Sequence, residues 1–121
     1  MKVGFIGLGN VGGKLAGSLL RNNFDLTVRD LDENLTKSFK DLGAKVANSA
    51  KELAEKVDLI ITCLPSPRIC AEVMEADDGV INGLSENKIW LEMSTTDEAE
   101  IKRISKKIIA KKAIPLDGPV S

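Results

Sequence analysis

Short apolar runs bounded by turn residues alternate along this chain with longer segments whose apolar residues follow a helical period. This alternation is typical of βαβ units and predicts an α/β fold in which helices connect parallel strands. The predicted strands cover residues 3–6, 25–29, 44–47, 59–64, 88–93 and 113–116. The predicted helices cover residues 11–22, 31–42, a short segment from 50, 68–74 and a last segment to about 112, with a turn or short helix at 79–84.

Capping residues mark several of these boundaries. Ser49 and Glu52 have the spacing of a capping box, and Thr95 and Glu98 repeat that spacing before the last helix. Gly43 follows the second predicted helix and is a suitable C-terminal cap. These signals fix where the helices are expected to begin and end.

The apolar pattern also predicts how the elements assemble. The run 59–64 is apolar except for Thr62, as expected of a strand that is covered on both faces. With right-handed crossovers, the strands predict a doubly wound parallel Rossmann sheet of order 3-2-1-4-5-6, in a three-layer α-β-α domain over residues 1–121. The inward faces of the first and last helices are predicted to carry Val11, Leu15, Leu19 and Leu20, and Ile101, Ile104 and Ile108.

A glycine-rich turn lies between the first predicted strand and the first predicted helix, with the spacing GxGxxG. In this context Gly7 allows a tight turn, Gly9 lets a pyrophosphate approach the backbone, and Gly12 lets the helix lie close to the strand. The helix N-terminus adds free N–H groups and partial positive charge, with Asn10 and Val11 as donors. The alternative is a turn without a ligand. The predicted cofactor-binding residues here are Gly7, Leu8, Gly9, Asn10, Val11 and Gly12.

Asp30 directly follows the second predicted strand, eighteen residues after Gly12. An acid about 20 residues after the turn accepts hydrogen bonds from the adenosine ribose of NAD and repels the 2′-phosphate of NADP. The alternatives are a ligand-free helix cap for Asp30 and a solvated charge for the neighbouring Arg29. Asp30 therefore predicts NAD in preference to NADP, unless the Arg29 guanidinium swings into the pocket.

Composition and charge exclude several other classes of function. The 121 residues carry a net charge of −1, so no broad basic surface is available for nucleic acid or anionic membranes. No apolar run approaches the ~18 residues of a membrane span, and no signal peptide is visible. Cys63 and Cys70 do not form a disulfide framework and are interpreted as reduced thiols of a cytoplasmic protein. Histidine is absent, which removes the commonest metal ligand, and no metal site is expected.

Four segments are informative in combination: residues 4–12, 62–65 (Thr-Cys-Leu-Pro), 93–96 (Met-Ser-Thr-Thr) and 117–121 (Asp-Gly-Pro-Val-Ser). Taken together, they resemble the β-hydroxyacid dehydrogenase family, which includes 3-hydroxyisobutyrate dehydrogenase and tartronate semialdehyde reductase and shares the NAD-binding domain of 6-phosphogluconate dehydrogenase. The resemblance spans essentially all of the chain. The family's opening turn usually has Met where this chain has Val11, and its last segment has Ala where this chain has Gly118.

The resemblance implies a role for several of these positions. Leu64 and Pro65 would line the cofactor crevice, Thr95 would contact the nicotinamide side, and Ser121 would begin the loop that binds the substrate carboxylate. Thr95 could instead be only a helix cap. NADP-using relatives have an Asn-Arg pair after the second strand, and here Leu31 stands where the arginine would be.

The implied reaction is hydride transfer between a nicotinamide and a small β-hydroxyacid. The family's general acid/base is a lysine in a helical domain that this sequence does not contain, so no catalytic residue is assigned here. The 121 residues are therefore expected to bind cofactor and to turn over poorly or not at all. A sheet edge with little sequence to cover it predicts pairing with another chain, as in a homo-oligomer. The alternatives are a non-catalytic nucleotide-sensing Rossmann module and the cofactor domain of an imine reductase.

Overall fold

A computed structural model describes residues 1–93 and 97–117. In this part of the chain, six parallel strands form one sheet of order β3-β2-β1-β4-β5-β6, which confirms the predicted topology. The strand order reverses between β1 and β4, so a crevice opens at their carboxyl ends. The strands are β1 (Lys2–Ile6), β2 (Asp25–Arg29), β3 (Lys45–Val46), β4 (Leu59–Thr62), β5 (Ile89–Glu92) and β6 (Ile114–Asp117).

Five helices and one 3₁₀ turn connect the strands within these described ranges. The 3₁₀ turn Val80–Gly83 corresponds to the predicted turn at 79–84. The helices are α1 (Asn10–Arg21), α2 (Glu33–Asp41), α3 (Ala50–Lys56), α4 (Pro67–Glu75) and α5 (Glu98–Ala110).

The sheet separates two apolar cores. One lies against α3, α4 and α5 and includes Trp90, Leu53 and Met74. The other lies against α1 and α2 and includes Phe5 and Phe39. Because both faces are covered, the central strands are apolar throughout rather than alternating. The cores fix the ends of β1, β2 and β4 relative to one another, and those ends form the crevice.

The inward face of α1 differs from the predicted face. Gly12 and Ala16 are its fully buried residues, and Leu15 is only partly buried because the helix lies close to the sheet. Val11 is 50% exposed and faces the crevice, so its assignment to the core was wrong. The predicted face of α5 is confirmed for Ile104 and Ile108, which are buried. Small residues at the α1 contact explain why a count of large apolar residues missed it.

Two helix starts also differ from the predicted ones. Helix α2 begins at Glu33 because Asp32 is its N-cap and accepts a hydrogen bond from the Asn34 N–H. Helix α5 begins at Glu98, and its N-cap is Asp97, which accepts from the Ala99 N–H. The predicted capping box starting at Thr95 was therefore wrong, because a carboxylate two residues later caps the helix. The Ser49 cap of α3 is confirmed by its bond with the Glu52 N–H.

Candidate cofactor site

A cavity of about 810 Å³ opens at the carboxyl ends of β1, β2 and β4. This is the position at which open α/β sheets bind their ligands. Its size lies in the range of small-molecule and cofactor sites. The described residues that line it are Ile6, Gly7, Gly9, Asn10, Val11, Gly12, Arg29, Asp30, Leu31, Asp32, Leu35, Ala50, Cys63, Leu64, Pro65, Ile69, Glu72, Val73 and Asp78.

The geometry of the turn explains why each of its three motif positions is a glycine. Gly7 has a φ of +100°, and a Cβ there would lie 2.1 Å from the backbone oxygen of Cys63. A Cβ at Gly12 would lie 2.0 Å from the Gly7 oxygen, so this glycine allows α1 to approach the turn. A Cβ at Gly9 would meet nothing within 4 Å, because Gly9 faces open space in the cavity. That space is where a pyrophosphate would lie, and the turn fits this group.

The N-terminus of α1 has unused hydrogen-bond donors. Its N-cap is Gly9, which provides no side-chain cap, and no acidic residue occupies the first turn. Among the residues that the structure describes, the backbone N–H groups of Asn10 and Val11 have no acceptor. A helix start without a capping acid, open to a cavity, is suited to an anionic ligand.

Asp30 lies beside the turn and is already held by the protein. Its Oδ2 accepts a 2.7 Å hydrogen bond from the Leu8 N–H, and its Oδ1 accepts a 2.9 Å bond from the Asp32 N–H. The helix cap is Asp32, so the alternative of Asp30 as a cap was wrong. Each carboxylate oxygen can accept more than one hydrogen bond, which leaves capacity for ribose hydroxyls.

Charge around the cavity is mainly negative. Asp30, Asp32, Glu72 and Asp78 line it, and Arg29 is the cation among the described lining residues. Arg29 is half-buried and lines the cavity, so the alternative of a fully solvated charge does not describe it. Four carboxylates and one guanidinium give the cavity wall a negative charge. This charge repels an additional phosphate and does not repel a neutral ribose diol.

The opposite wall of the cavity is apolar. Leu64 and Pro65 follow β4 and line the cavity, as predicted from the family resemblance. Strand β4 ends at Thr62, two residues earlier than predicted, because the next residues turn into the crevice. Leu31 also lines the cavity, and its side chain is 88% exposed and carries no charge. Leu35, Ile69 and Val73 extend this apolar wall.

The structure brings together most of the predicted cofactor residues. Leu8 is the exception, because its side chain is 2% exposed in the core and its N–H is bonded to Asp30. Thr95, predicted to contact the nicotinamide side, and Ser121, predicted to bind the substrate carboxylate, lie outside the described residues.

A buried acid near the crevice was missed by the sequence reasoning. Glu92, the last residue of β5, is 0% exposed and accepts a 2.6 Å hydrogen bond from the Thr62 hydroxyl. Cys70, which received no role from the sequence, donates to the same Glu92 oxygen over 3.1 Å. An available signal was a charged residue inside an otherwise apolar strand.

The described residues include neither a membrane-spanning helix nor a metal cluster. No helix there is long and apolar enough to cross a membrane. Within residues 1–93 and 97–117, no three His, Cys, Asp or Glu side chains are grouped to hold a metal ion.

A doubly wound sheet, an open glycine turn and an acid at the end of β2 define a dinucleotide-binding Rossmann domain. The chain belongs to the family described as the NAD binding domain of 6-phosphogluconate dehydrogenase, whose model matches residues 2–121. Among curated proteins, the mitochondrial 3-hydroxyisobutyrate dehydrogenase of Mus musculus is 37% identical over 119 residues. That match covers 98% of this chain and 36% of the relative. The predicted family is thereby confirmed.

Solved structures agree with the fold. A 3-hydroxyisobutyrate dehydrogenase from Salmonella typhimurium has a TM-score of 0.91 and 29% identity, covering 100% of this chain and 42% of that one. An imine reductase from Pseudomonas sp. has a TM-score of 0.87 and 26% identity, covering 98% of this chain and 40% of that one. The chain spans about a third of the length of the curated relatives that it matches. The mouse relative is a mitochondrial enzyme by name, so the cytoplasmic location of this chain stays a prediction.

Proposed function

We propose that this chain is the NAD-binding part of an oxidoreductase that interconverts a small β-hydroxyacid, of the 3-hydroxyisobutyrate type, and its aldehyde. The observation that carries this proposal is the shared cavity of the open Gly9 turn and the Asp30 carboxylate. The turn would hold the pyrophosphate by backbone N–H groups, and the carboxylate would accept from the adenosine ribose. The likeness to 3-hydroxyisobutyrate dehydrogenases supports the substrate class.

We propose NAD, rather than NADP, as the preferred cofactor. A 2′-phosphate brings nearly two negative charges, and it would face Asp30 with Asp32 beside it. Leu31 offers no positive charge at the rim. Arg29 is the residue that could offset this repulsion, so its removal should lower NADP affinity more than NAD affinity.

Hydride transfer, proton transfer and substrate binding also need groups that do not line the described cavity. A nicotinamide cofactor bound in this crevice would supply the acceptor for the hydride of the hydroxyl-bearing carbon, and a base would have to take the hydroxyl proton. We propose that Thr95 contacts the nicotinamide side and that Ser121 begins the substrate-carboxylate loop. We propose that this base is a lysine of a helical domain, as the family resemblance implies, and that the 121 residues alone bind cofactor without ordinary turnover.

Calorimetric titration of the chain with NAD⁺ and NADP⁺ tests this proposal. The informative variant is Gly9→Val, because its side chain would enter open space in the cavity and leave the fold intact. Gly17→Ala is the matched control on the same helix, where a Cβ would meet only the flexible end of Arg21 at 3.3 Å. We expect Gly9→Val to abolish NAD⁺ binding and Gly17→Ala to preserve it. Equal binding by both variants would contradict the assignment of the turn.

An imine reductase is the second candidate, supported by the likeness to the Pseudomonas sp. enzyme. It would use the same cofactor cavity, so cofactor binding does not distinguish the two. Activity of a protein that includes a helical domain, measured with hydroxyacids and with cyclic imines, would separate them. Turnover of hydroxyacids alone supports the first candidate.

We also propose that the full-length protein is a homo-oligomer. Strand β6 is at the edge of the described sheet, and its Ile114 and Leu116 side chains are 44% and 49% exposed. An apolar edge strand is prone to pair with another chain. Sedimentation velocity of the full-length protein should show a species larger than the monomer, and a monomer at micromolar concentration would contradict the proposal.

A further inference from the structure

Four buried side chains form a hydrogen-bonded network at the carboxyl ends of β4 and β5. Trp90 Nε1 donates to Thr62 Oγ1 over 3.0 Å, and Thr62 Oγ1 lies 2.6 Å from Glu92 Oε2. Cys70 Sγ lies 3.1 Å from the same Glu92 oxygen. Trp90, Thr62 and Glu92 are 0% exposed and Cys70 is 1% exposed. The network is therefore enclosed by the core that lies against α3, α4 and α5.

The direction of these bonds makes Glu92 the hydrogen-bond acceptor of the network. An indole nitrogen can only donate, so Thr62 Oγ1 accepts from Trp90 and keeps its own hydrogen for Glu92. The Cys70 thiol donates to the same oxygen, and its pKa is raised by burial and by the negative charge of Glu92. The network thus encloses an acidic side chain to which two groups donate and which solvent does not reach.

The Glu92 side chain is joined to the strand end that leads into one side of the crevice. Thr62 and Glu92 are paired in register as the last residues of β4 and β5. The next residue after Thr62 is Cys63, which lines the cavity. In a doubly wound sheet the strands on the β1–β3 side bind the adenosine half, and those on the β4–β6 side bind the other half. Asp30 lies in the first half, and Glu92 lies in the second, where a nicotinamide belongs.

We propose that the Glu92 carboxylate makes this site selective for the oxidised cofactor. This inference rests on the proposed function. The nicotinamide ring carries a positive charge in NAD⁺ and none in NADH, so a fixed buried anion attracts only the oxidised ring. Two unit charges about 10 Å apart, at an effective dielectric constant of about 20, attract strongly enough to change an equilibrium on the order of tenfold. Because Glu92 is shielded from water, salt should screen this attraction little.

A merely structural role for Glu92 would have a different signature. Loss of a structural residue loosens the crevice and weakens all ligands together. Loss of a fixed charge weakens the charged ring selectively. The ratio of the dissociation constants for NADH and NAD⁺ separates the two roles, and ADP-ribose, which lacks the nicotinamide, provides the reference.

The experiment measures the dissociation constants of NAD⁺, NADH and ADP-ribose for the original chain and for Glu92→Gln. Glutamine keeps the shape and the acceptor for Thr62 but removes the charge. We expect NAD⁺ to bind on the order of tenfold more weakly to Glu92→Gln, with NADH and ADP-ribose within about twofold. Cys70→Ala is the matched control, because it removes one contact to Glu92 and keeps the charge, and it should leave the ratio unchanged. An equal weakening of all three ligands, or an unchanged ratio in Glu92→Gln, would overturn the inference.

A second variant and the binding of the original chain separate a failure of this inference from a failure of folding or of the proposed function. If Glu92→Gln does not fold, Glu92→Met removes the charge with an apolar side chain of similar length, and the same change in ratio is expected. If the original chain binds none of the three ligands, the proposed function fails. If it binds all three and neither Glu92 variant alters the NADH to NAD⁺ ratio, the proposed function stands and only the role of Glu92 is overturned.

Discussion

The carboxylate of Asp30 and the backbone N–H of Leu8 are joined by a 2.7 Å hydrogen bond that ties the end of β2 to the glycine turn. The predicted ribose acid therefore has a second task in the free protein, because it holds the turn in place. Leu8 is buried, and its amide would lose its partner without Asp30. Cofactor preference and the stability of the turn are linked through one side chain.

Asp30→Ala should therefore lower stability as well as NAD⁺ affinity. A buried backbone donor left without a partner costs about 1–3 kcal/mol in the free energy of unfolding. Urea unfolding and calorimetry on the same samples measure the two effects. Asp77→Asn, on an exposed residue that does not line the cavity, is the control and should change neither quantity. Unchanged stability of Asp30→Ala would show that the Leu8 bond contributes nothing.

Gly7 and Gly43 allow the cost of a positive φ to be compared with the cost of a steric clash. Both have positive φ, at +100° and +108°, but only Gly7 has a neighbour in the space of a Cβ. Gly43→Ala should cost only the strain of the left-handed conformation, about 1–2 kcal/mol. Gly7→Ala should cost more, because its Cβ would also collide with the Cys63 carbonyl. The free energy of unfolding in urea checks the order, and equal losses would contradict it.

The ion pairs of Glu75 should make stability depend on acidity. Hydrogen bonds from Arg103, and then from Lys107, lower the pKa of Glu75 from 4.5 to about 2. Because the pKa is lower in the folded state, the stabilisation is full above pH ~4.5 and is lost as the pH falls towards about 2. Arg103 and Lys107 are about half exposed, so solvent screening limits the contribution to about 1 kcal/mol.

Glu75→Gln tests this dependence. It should be about 1 kcal/mol less stable than the original chain at pH 7, with a difference that shrinks as the pH falls towards 2.5. Glu86→Gln, on an exposed residue with no ion pair among the described residues, should show no such difference. A gap between Glu75→Gln and the original chain that persists at pH 2.5 would contradict the ion-pair explanation.

The two thiols should differ in reactivity. Cys63 is half-buried and lines the cavity, whereas Cys70 is 1% exposed and has a raised pKa because of burial. A thiol reagent should modify Cys63 in the native protein and reach Cys70 only after unfolding, because the thiolate is the nucleophile. Bound NAD⁺ should slow the modification of Cys63. Modification of both thiols at the same rate in the native protein would contradict these positions.

Sequence reasoning was most successful where short-range chemistry decides the structure. The strand β2 was predicted with its observed bounds, and the glycine spacing located the crevice. It was less successful where tertiary packing decides which face of a helix is buried, or where a neighbouring residue competes to cap a helix. Asp97 caps α5 in place of Thr95, and α1 approaches the sheet through Gly12 rather than through large side chains.

The hydrogen-bond network around the buried acid Glu92 could not be predicted from the sequence. Its position at the end of a strand was visible in the sequence, but its partners Thr62 and Cys70 come from two other elements. Only the strand register and the packing of α4 bring these groups together. A pattern along the chain therefore predicts the fold and the phosphate-binding turn but not a network assembled across the sheet.

The turn from Gly7 to Gly12 is the proposed binding site for the pyrophosphate of NAD. An NMR titration of the isotope-labelled chain with NAD⁺ tests it most directly, because the amides of Asn10 and Val11 are the proposed donors. We predict saturable shifts of these two amides and of the Leu8 amide bonded to Asp30, with weaker binding of NADP⁺. Saturable binding that leaves these amides unmoved, or an absence of NAD⁺ binding, would contradict the account.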